Sequence, residues 1–347
     1  MKYAIGYQLP DEYDSLTEIA QDYKEHIAEI YFALPGEASG RSVLGATEGL
    51  EMSEAVKIFE KEIKDIKNMG INLTLLMNAN CYGAESVSVA FRKKTQDTIG
   101  RMISEFGLDS VTTTSPFVAM SIKEKFPSME IRASVNMRVG TVKGMDYLAD
   151  YFDGYYMQRE YNRDFNRLRQ LHKWCGDHGK TLHILVNSGC LNFCSYQSYH
   201  DNLVAHESEI VANENVKMKY PAPCWDFMSK QKDCTLFLQG SWIRPEDMKN
   251  YEPYFKVAKL ATRMHANARQ VISAYVRGRF RGNMFDLTEP GYSSLFRNNI
   301  IDNTLFPDDW FVRTSSCSKN CHECDYCASV AEKVFVDLSD LKRMYTQ

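Results

Sequence analysis

Short apolar runs alternate with amphipathic stretches along most of this chain, and that alternation narrows the fold more than any other feature. Strand-like runs lie at Lys2–Gln8, Ala28–Ala33, Asn72–Met77, Ser110–Thr114, Glu130–Asn136, Gly154–Gln158, Thr181–Asn187 and Thr235–Gln239. Helical patterns separate several of them. In MSEAVKIFEKEIKDIKNMG, Ser53 is the expected cap, Val56, Phe59, Ile63 and Ile66 share one face, and Gly70 is the stop. FNRLRQLHKWCGDHGK is a second helical pattern. PEDMKNYEPYFKVAKLATR is a third, with Pro245 in the first turn ahead of Glu246 and Asp247. Eight strands with helical crossovers predict an α/β fold, a (β/α)8 TIM-like barrel of irregular spacing. A doubly wound sheet is the alternative. No G-x-G-x-x-G follows a strand and no G-x-x-x-x-G-K-[ST] occurs, which counts against a nucleotide-cofactor sheet. The chain then becomes richer in turn residues and cysteines. The expected organisation is a barrel over 1–285 and a small cysteine-rich module over 286–347.

The chain has 347 residues, 44% hydrophobic and 25% charged, enough for a large core with an appendage. A net charge of -4 provides no global basic field to recruit nucleic acid. Locally, Arg277, Arg279 and Arg281 surround Phe280, a basic and aromatic grouping that suits RNA contact as well as a solvated helix end. The opening MKYAIGYQLPDEYD has no basic segment followed by an apolar core, and no apolar run approaches the roughly 20 residues of a membrane span. The expectation is a cytoplasmic protein with no membrane partner and with reduced thiols. Clustered cysteines then read as metal or redox chemistry.

Six of the ten cysteines form two clusters. Cys317, Cys321, Cys324 and Cys327, in CSKNCHECDYC, can close a metal site unaided, as zinc or a 4Fe–4S cluster. The same run contains the C-x-x-x-C-x-x-C spacing of radical-SAM proteins. That reading is discounted because the motif is C-terminal, Glu323 precedes Cys324, and Cys327 fills the fourth position. Cys190 and Cys194, in NSGCLNFC, are two ligands short, with Cys224 and either Cys81 or Cys234 as candidates. Cys234 precedes the expected eighth strand and Cys81 ends the third. The two would lie a strand length apart, about 17 Å. The preferred set for one 4Fe–4S cluster is therefore Cys81, Cys190, Cys194 and Cys224, with Cys234 the remaining alternative. Cys175, inside a helical pattern, reads as core.

In a (β/α)8 barrel, function gathers where strands end. Arg41, Asn78, Asn80, Cys81, Asn136, Arg138, Arg159, Glu160, Arg163, Asn187, Cys190 and Cys194 all follow expected strands. Arg41, Asn78, Asn136, Arg138, Arg159, Arg163 and Asn187 are candidate substrate-binding residues. Arginines at such a mouth suit an anionic group. Glu160, His200 and His206 are candidate proton-transfer groups. AHESE is not the H-E-x-x-H of zinc proteases, no G-x-S-x-G occurs, and nothing marks a nucleophile with its base.

NSGCLNFC with His200 and His206 after it, and LQGSWIRPEDMKNYE with FKVAK, resemble peptidase family U-32, the collagenase-like proteases. The stretch Trp242–Asp247 is the most specific piece, while Lys259 and Leu260 interrupt the glycine–arginine end usual in the family. The resemblance covers roughly 1–285 and is sharpest over 180–257. It implies a barrel-like fold. It also implies a 4Fe–4S cluster in some members, with Cys190, Cys194 and Cys224 as matching ligands. Those members serve in hydroxylation of RNA or of an aromatic small molecule. The resulting expectation is a redox modification enzyme with an RNA or small-molecule substrate. The alternatives are a peptidase, or a non-enzymatic Fe–S or zinc scaffold that works with a protein partner.

Overall fold

The computed structural model describes residues 1–10, 14–41, 44, 51–212 and 223–339. Eight parallel strands close into a barrel in chain order. They are β1 (Lys2–Gly6), β2 (Ile27–Phe32), β3 (Asn72–Met77), β4 (Ser110–Thr113), β5 (Glu130–Ala133), β6 (Gly154–Tyr156), β7 (Thr181–Leu185) and β8 (Val257–Lys259). Closure is made by β1 on β8, with Lys2, Tyr3 and Ala4 opposite Val257, Ala258 and Lys259.

Between the strands run α1 (Leu16–Asp22), α2 (Met52–Asn68), α3 (Val89–Phe106), α4 (Pro116–Lys125), α5 (Val142–Asp146) and α6 (Phe165–Asp177). Their ends obey local chemistry. Ser15 caps α1 in a reciprocal box with Glu18. Ser88 and Ser115 cap α3 and α4, and Asp164 caps α6. Gly107 stops α3 at φ 66°, a left-handed conformation that glycine adopts without strain. In α2, Phe59, Ile63 and Ile66 are buried as the periodicity predicts. Each contributes about 1.5–3 kcal/mol by leaving water. The cap differs: Glu51 precedes α2 and Ser53 lies inside it.

The crossover from β7 to β8 is where the sequence misleads. It carries α7 (Gln197–Ala205), α8 (Glu207–Ala212), α9 (Pro223–Ser229) and α10 (Thr235–Leu238). Thr235–Gln239, expected as the eighth strand, is therefore mostly a helical turn. A short apolar run has no periodicity to tell a strand from a buried helix. The true β8 lies inside the third expected helix, which the structure reduces to a 3-10 turn at Pro245–Asn250.

The barrel interior is polar. Arg132 donates to Glu29 at 2.6 Å and to Glu130 at 2.8 Å, while Thr74 and Ser110 share a hydrogen bond. Lys259 lies over the rings of Tyr31 and Tyr156, at 3.7 and 5.0 Å. Burial lowers the Lys259 pKa to about 7 against the pull of Glu29, and it holds His183 well below its usual value.

After β8 come α11 (Ala268–Arg277), α12 (Ser293–Phe296), β9 (Asn299–Ile301), α13 (Trp310–Ser315), α14 (Tyr326–Val334) and β10 (Phe335–Asp337). The strands β9 and β10 pair antiparallel. This tail is packed onto the barrel. Phe285, Leu287, Tyr292, Ile301, Trp310 and Val330 join one continuous core with the barrel residues, so the expected boundary at 285 runs through it. Trp242 stacks on Phe237 and on Trp310, and Trp310 on Tyr326. The Trp242–Asp247 stretch is a clip for this tail. Ile243 donates to Val186 of the barrel, while the Glu246 carboxylate accepts from the Phe280 amide and from Asn303. Among the described residues no helix is long and apolar enough to cross a membrane.

Candidate functional site

The loops beyond β2, β6, β7 and β8 meet the returning segment 285–291 around a cavity of about 640 Å³. Cys190, Cys194 and Cys224 all line it. The first two follow β7; α9 brings the third. Gly189 makes room for the returning segment, because a Cβ there would collide with the Pro290 carbonyl. The Gly189 amide donates to Glu289 and the Glu289 amide donates to Asn187, so the segment continues the sheet edge past β7. Tyr292 closes the joint with a hydroxyl bond to the Gly189 carbonyl.

Two guanidiniums face the thiols. Arg159 Nη1 donates to Cys190 Sγ at 3.2 Å and to Ser188 at 3.4 Å, and its buried Nη2 has no partner among the described residues. Arg41 Nε is 2.8 Å from Glu289 Oε1. Burial opposes the Arg41 charge, but Glu289 and then Cys190 outweigh it and raise the pKa further. Burial likewise opposes ionisation of Glu289, and Arg41 overcomes it, holding the carboxyl below its usual value. His200 lines the same cavity, and burial lowers its pKa.

The other expected residues divide by what already holds them. Arg138 reaches Glu160 at 3.2 Å, and Glu160 keeps its second oxygen buried and unpaired among the described residues. Asn78 accepts from the Gly40 amide. A Cβ on Gly40 would meet the amides of both Asn136 and Asn78, so these asparagines fix the loop that carries Arg41. Asn187 is consumed by backbone, donating to Ala261 and Leu287 and accepting from Ala261. Arg163 is not at the mouth: it donates to the Trp242 and Leu238 carbonyls and lies over the Trp242 and Trp310 rings. For Asn187 and Arg163 a structural role replaces the expected substrate contact. Cys175 is core, its pKa raised to about 12 by burial.

Cys81 and Cys234 both lie apart from the three mouth thiols. Cys81 lines a different cavity with His206, and Cys234 is buried in the core, with Cys327 near enough to perturb it. Cys317, Cys321, Cys324 and Cys327 line one small cavity of about 60 Å³ under α14. Among the described residues no three His, Cys, Asp or Glu side chains stand close enough to share a single ion. A four-iron cluster takes its thiolates at separate corners, and the mouth offers three thiols with a guanidinium donor beside one of them. These thiols are donors of the type an iron–sulfur cluster takes, three of the usual four cysteines. Cys190, Cys194 and Cys224 would hold it, and it would supply electron transfer. Arg159 donates to Cys190, and Arg41, Glu289 and His200 line the same cavity.

Sequence reading missed Glu289 and Asp201 at this mouth. Glu289 lies in a segment with no strand signal of its own. Asp201, on α7 beside His200, had no partner in the sequence to single it out; Arg41 feels its charge. The arginines around Phe280 line cavities separate from the mouth.

No family model matches the chain. It is similar to a protein of Methanocaldococcus jannaschii named as the uncharacterized protease MJ1657, with 24% identity over 333 residues and coverage of 93% of each chain. Its fold is similar to that of the U32 peptidase Mk0906, with a TM-score of 0.54 and 14% identity over 76% of this chain and 93% of the other. The chain is a closed (β/α)8 barrel with a fold like that of the U32 peptidase.

Proposed function

We propose that this chain is an iron–sulfur barrel enzyme whose mouth carries out redox modification of an anionic aromatic substrate, an RNA base or a small molecule. The observation that carries this reading is the meeting of Cys190, Cys194 and Cys224 at one cavity, with Arg159 donating to Cys190 and Arg41 paired to Glu289. Thiolates beside guanidiniums are both stabilised and oriented. Arg159 Nη2, buried and without a partner among the described residues, is the donor assigned to an anionic substrate oxygen. The four C-terminal cysteines form a second site, zinc or 4Fe–4S, and the protein works in the reducing cytoplasm. Purification without oxygen, followed by a visible spectrum and assays of iron, sulfide and zinc per chain, tests this. A broad absorbance near roughly 400 nm from thiolate-bound iron and sulfide, lost in a Cys190→Ser/Cys224→Ser variant, supports it. Zinc alone, or no metal, would sink it.

A hydrolytic reading is favoured by the similarity to a protein named as a protease and by the fold shared with a U32 peptidase. Cleavage of peptides by metal-free protein would support that reading over the first. A scaffold reading predicts a bound cluster with no turnover unless a partner protein is added.

A further inference from the structure

Beyond the barrel mouth, the loop after β3 and the junction of α7 with α8 enclose a second cavity of about 520 Å³. Cys81, His206 and Glu209 meet on its wall. The helix breaks at His206, and its Nδ1 lies 3.0 Å from Glu209 Oε2, a contact one helical turn apart. That leaves Nε2 for another group, and the Cys81 thiol lies close enough to the ring that each shifts the other's pKa. Gly83, at φ 63°, turns the chain so that its amide donates to Cys81 Sγ at 3.3 Å.

We propose that Cys81, His206 and Glu209 form a nucleophile, base and orienting group that hydrolyse activated acyl compounds, esters and thioesters, with an apolar acyl chain. The site is independent of the mouth thiols. It gives the hydrolytic reading residues of its own without resting on it. The wall beside it is apolar, formed by Leu34, Leu76, Phe91 and Ala205, while a Lys94–Glu37 ion pair at 2.9 Å also borders the cavity. The charge distribution agrees with the roles. His206 and then the Gly83 amide hold the thiol below its usual pKa, and Cys81 and Glu209 hold the imidazole above its own. Each shift favours the charged form of its group, the direction that a thiol nucleophile and its base require.

The step balances without a further reagent. The Cys81 thiolate attacks the carbonyl carbon, forming an S–C bond. The bond to the leaving oxygen or sulfur breaks, and the leaving group takes the His206 proton. Water then attacks the thioester while His206 removes its proton, giving the carboxylic acid and restoring the thiol. Glu209 is a positioning residue that sets the ring tautomer.

The test uses the full chain purified without oxygen and offered p-nitrophenyl butyrate. The expected result is a burst of p-nitrophenol, a butyryl adduct on Cys81 by mass spectrometry, and continued turnover. Cys81→Ser should abolish the adduct, and His206→Gln should slow acylation by roughly 100-fold, as for loss of a general base. Glu209→Gln should move the pH profile of Cys81 alkylation by iodoacetamide while leaving the fold intact. Glu37, Glu85, Lys94 and Tyr82 also border this cavity and are kept unchanged throughout. Iron content should be equal in wild type and Cys81→Ser. Adduct formation without turnover, hydrolysis unchanged in Cys81→Ser, or loss of iron in that variant would each overturn the proposal. The last would make Cys81 a cluster ligand instead.

Discussion

Inside the barrel, Arg132 and Glu29 form an ion pair at 2.6 Å whose members are both buried. Such a pair is weak evidence of net stabilisation, but breaking it leaves an uncompensated charge in a dry interior. Arg132→Ala should cost about 3–5 kcal/mol, read as a shift in the urea midpoint. A Glu29→Met/Arg132→Met double variant should recover most of it. A single variant within about 1 kcal/mol of wild type would show that water reaches Glu29. Lys259 makes a second claim at this scale. Its folded pKa, about 7, lies below that of an unfolded lysine, 10.5. Between those values the unfolded chain binds one more proton than the folded one, so this residue makes stability rise with pH. The rise is on the order of 1 kcal/mol per pH unit inside that window. Wild type should therefore gain on Lys259→Met between pH 7 and 9 in paired thermal melts. Parallel curves for the two proteins would place the ammonium in water.

At the scale of elements, the joint between the end of β7 and the returning segment decides whether the mouth exists. Gly189→Ala would push a methyl against the Pro290 carbonyl and lift the segment that carries Glu289. Overpacking of this kind costs typically about 1–3 kcal/mol. Arg41 would lose its carboxylate partner, so under the proposed function iron retention should fall along with the melting temperature. Unchanged iron binding would mean that the thiols alone define the site. This joint also marks the limit of what could be read from the chain. Seven strands were legible because their apolar runs alternate with amphipathic helical patterns. The eighth was not: Val257–Lys259 is three residues ending in a lysine, whereas Thr235–Leu238 has the composition of a strand and is a helix. With that strand gone, the reason for placing Cys234 at the far end of the barrel falls away. Cys190 and Cys194 were legible from their spacing after a strand and Cys224 from the family resemblance, and the three do share a cavity. Glu289 and the Cys81–His206–Glu209 group were not, since only the folded loops bring residues so distant in sequence together.

For the whole molecule, the tail after β8 completes the barrel instead of decorating it. Trp242, from the β7–β8 crossover, is sandwiched between Phe237 and Trp310 of the tail, and Arg163 lies over both indoles. Removing 286–347 would expose these rings along with Phe285, leave Arg163 buried on one side only, and delete Glu289. Aromatic side chains bury about 150–250 Å² each, and at about 25 cal/mol per Å² the exposure amounts to several kcal/mol. Domains are stable by only about 5–15 kcal/mol in total. A 1–285 fragment should therefore lose cooperative unfolding and bind a hydrophobic dye at room temperature. Changing Cys317, Cys321, Cys324 and Cys327 to serine is a milder cut, because it leaves the Trp242–Trp310 stack in place. If the proposed clusters are bound, that variant should keep the iron of the mouth and lose only the metal of the tail. A fragment that melts cooperatively at the temperature of the full chain would make the tail a detachable module, and the aromatic stack a contact that the barrel does not need.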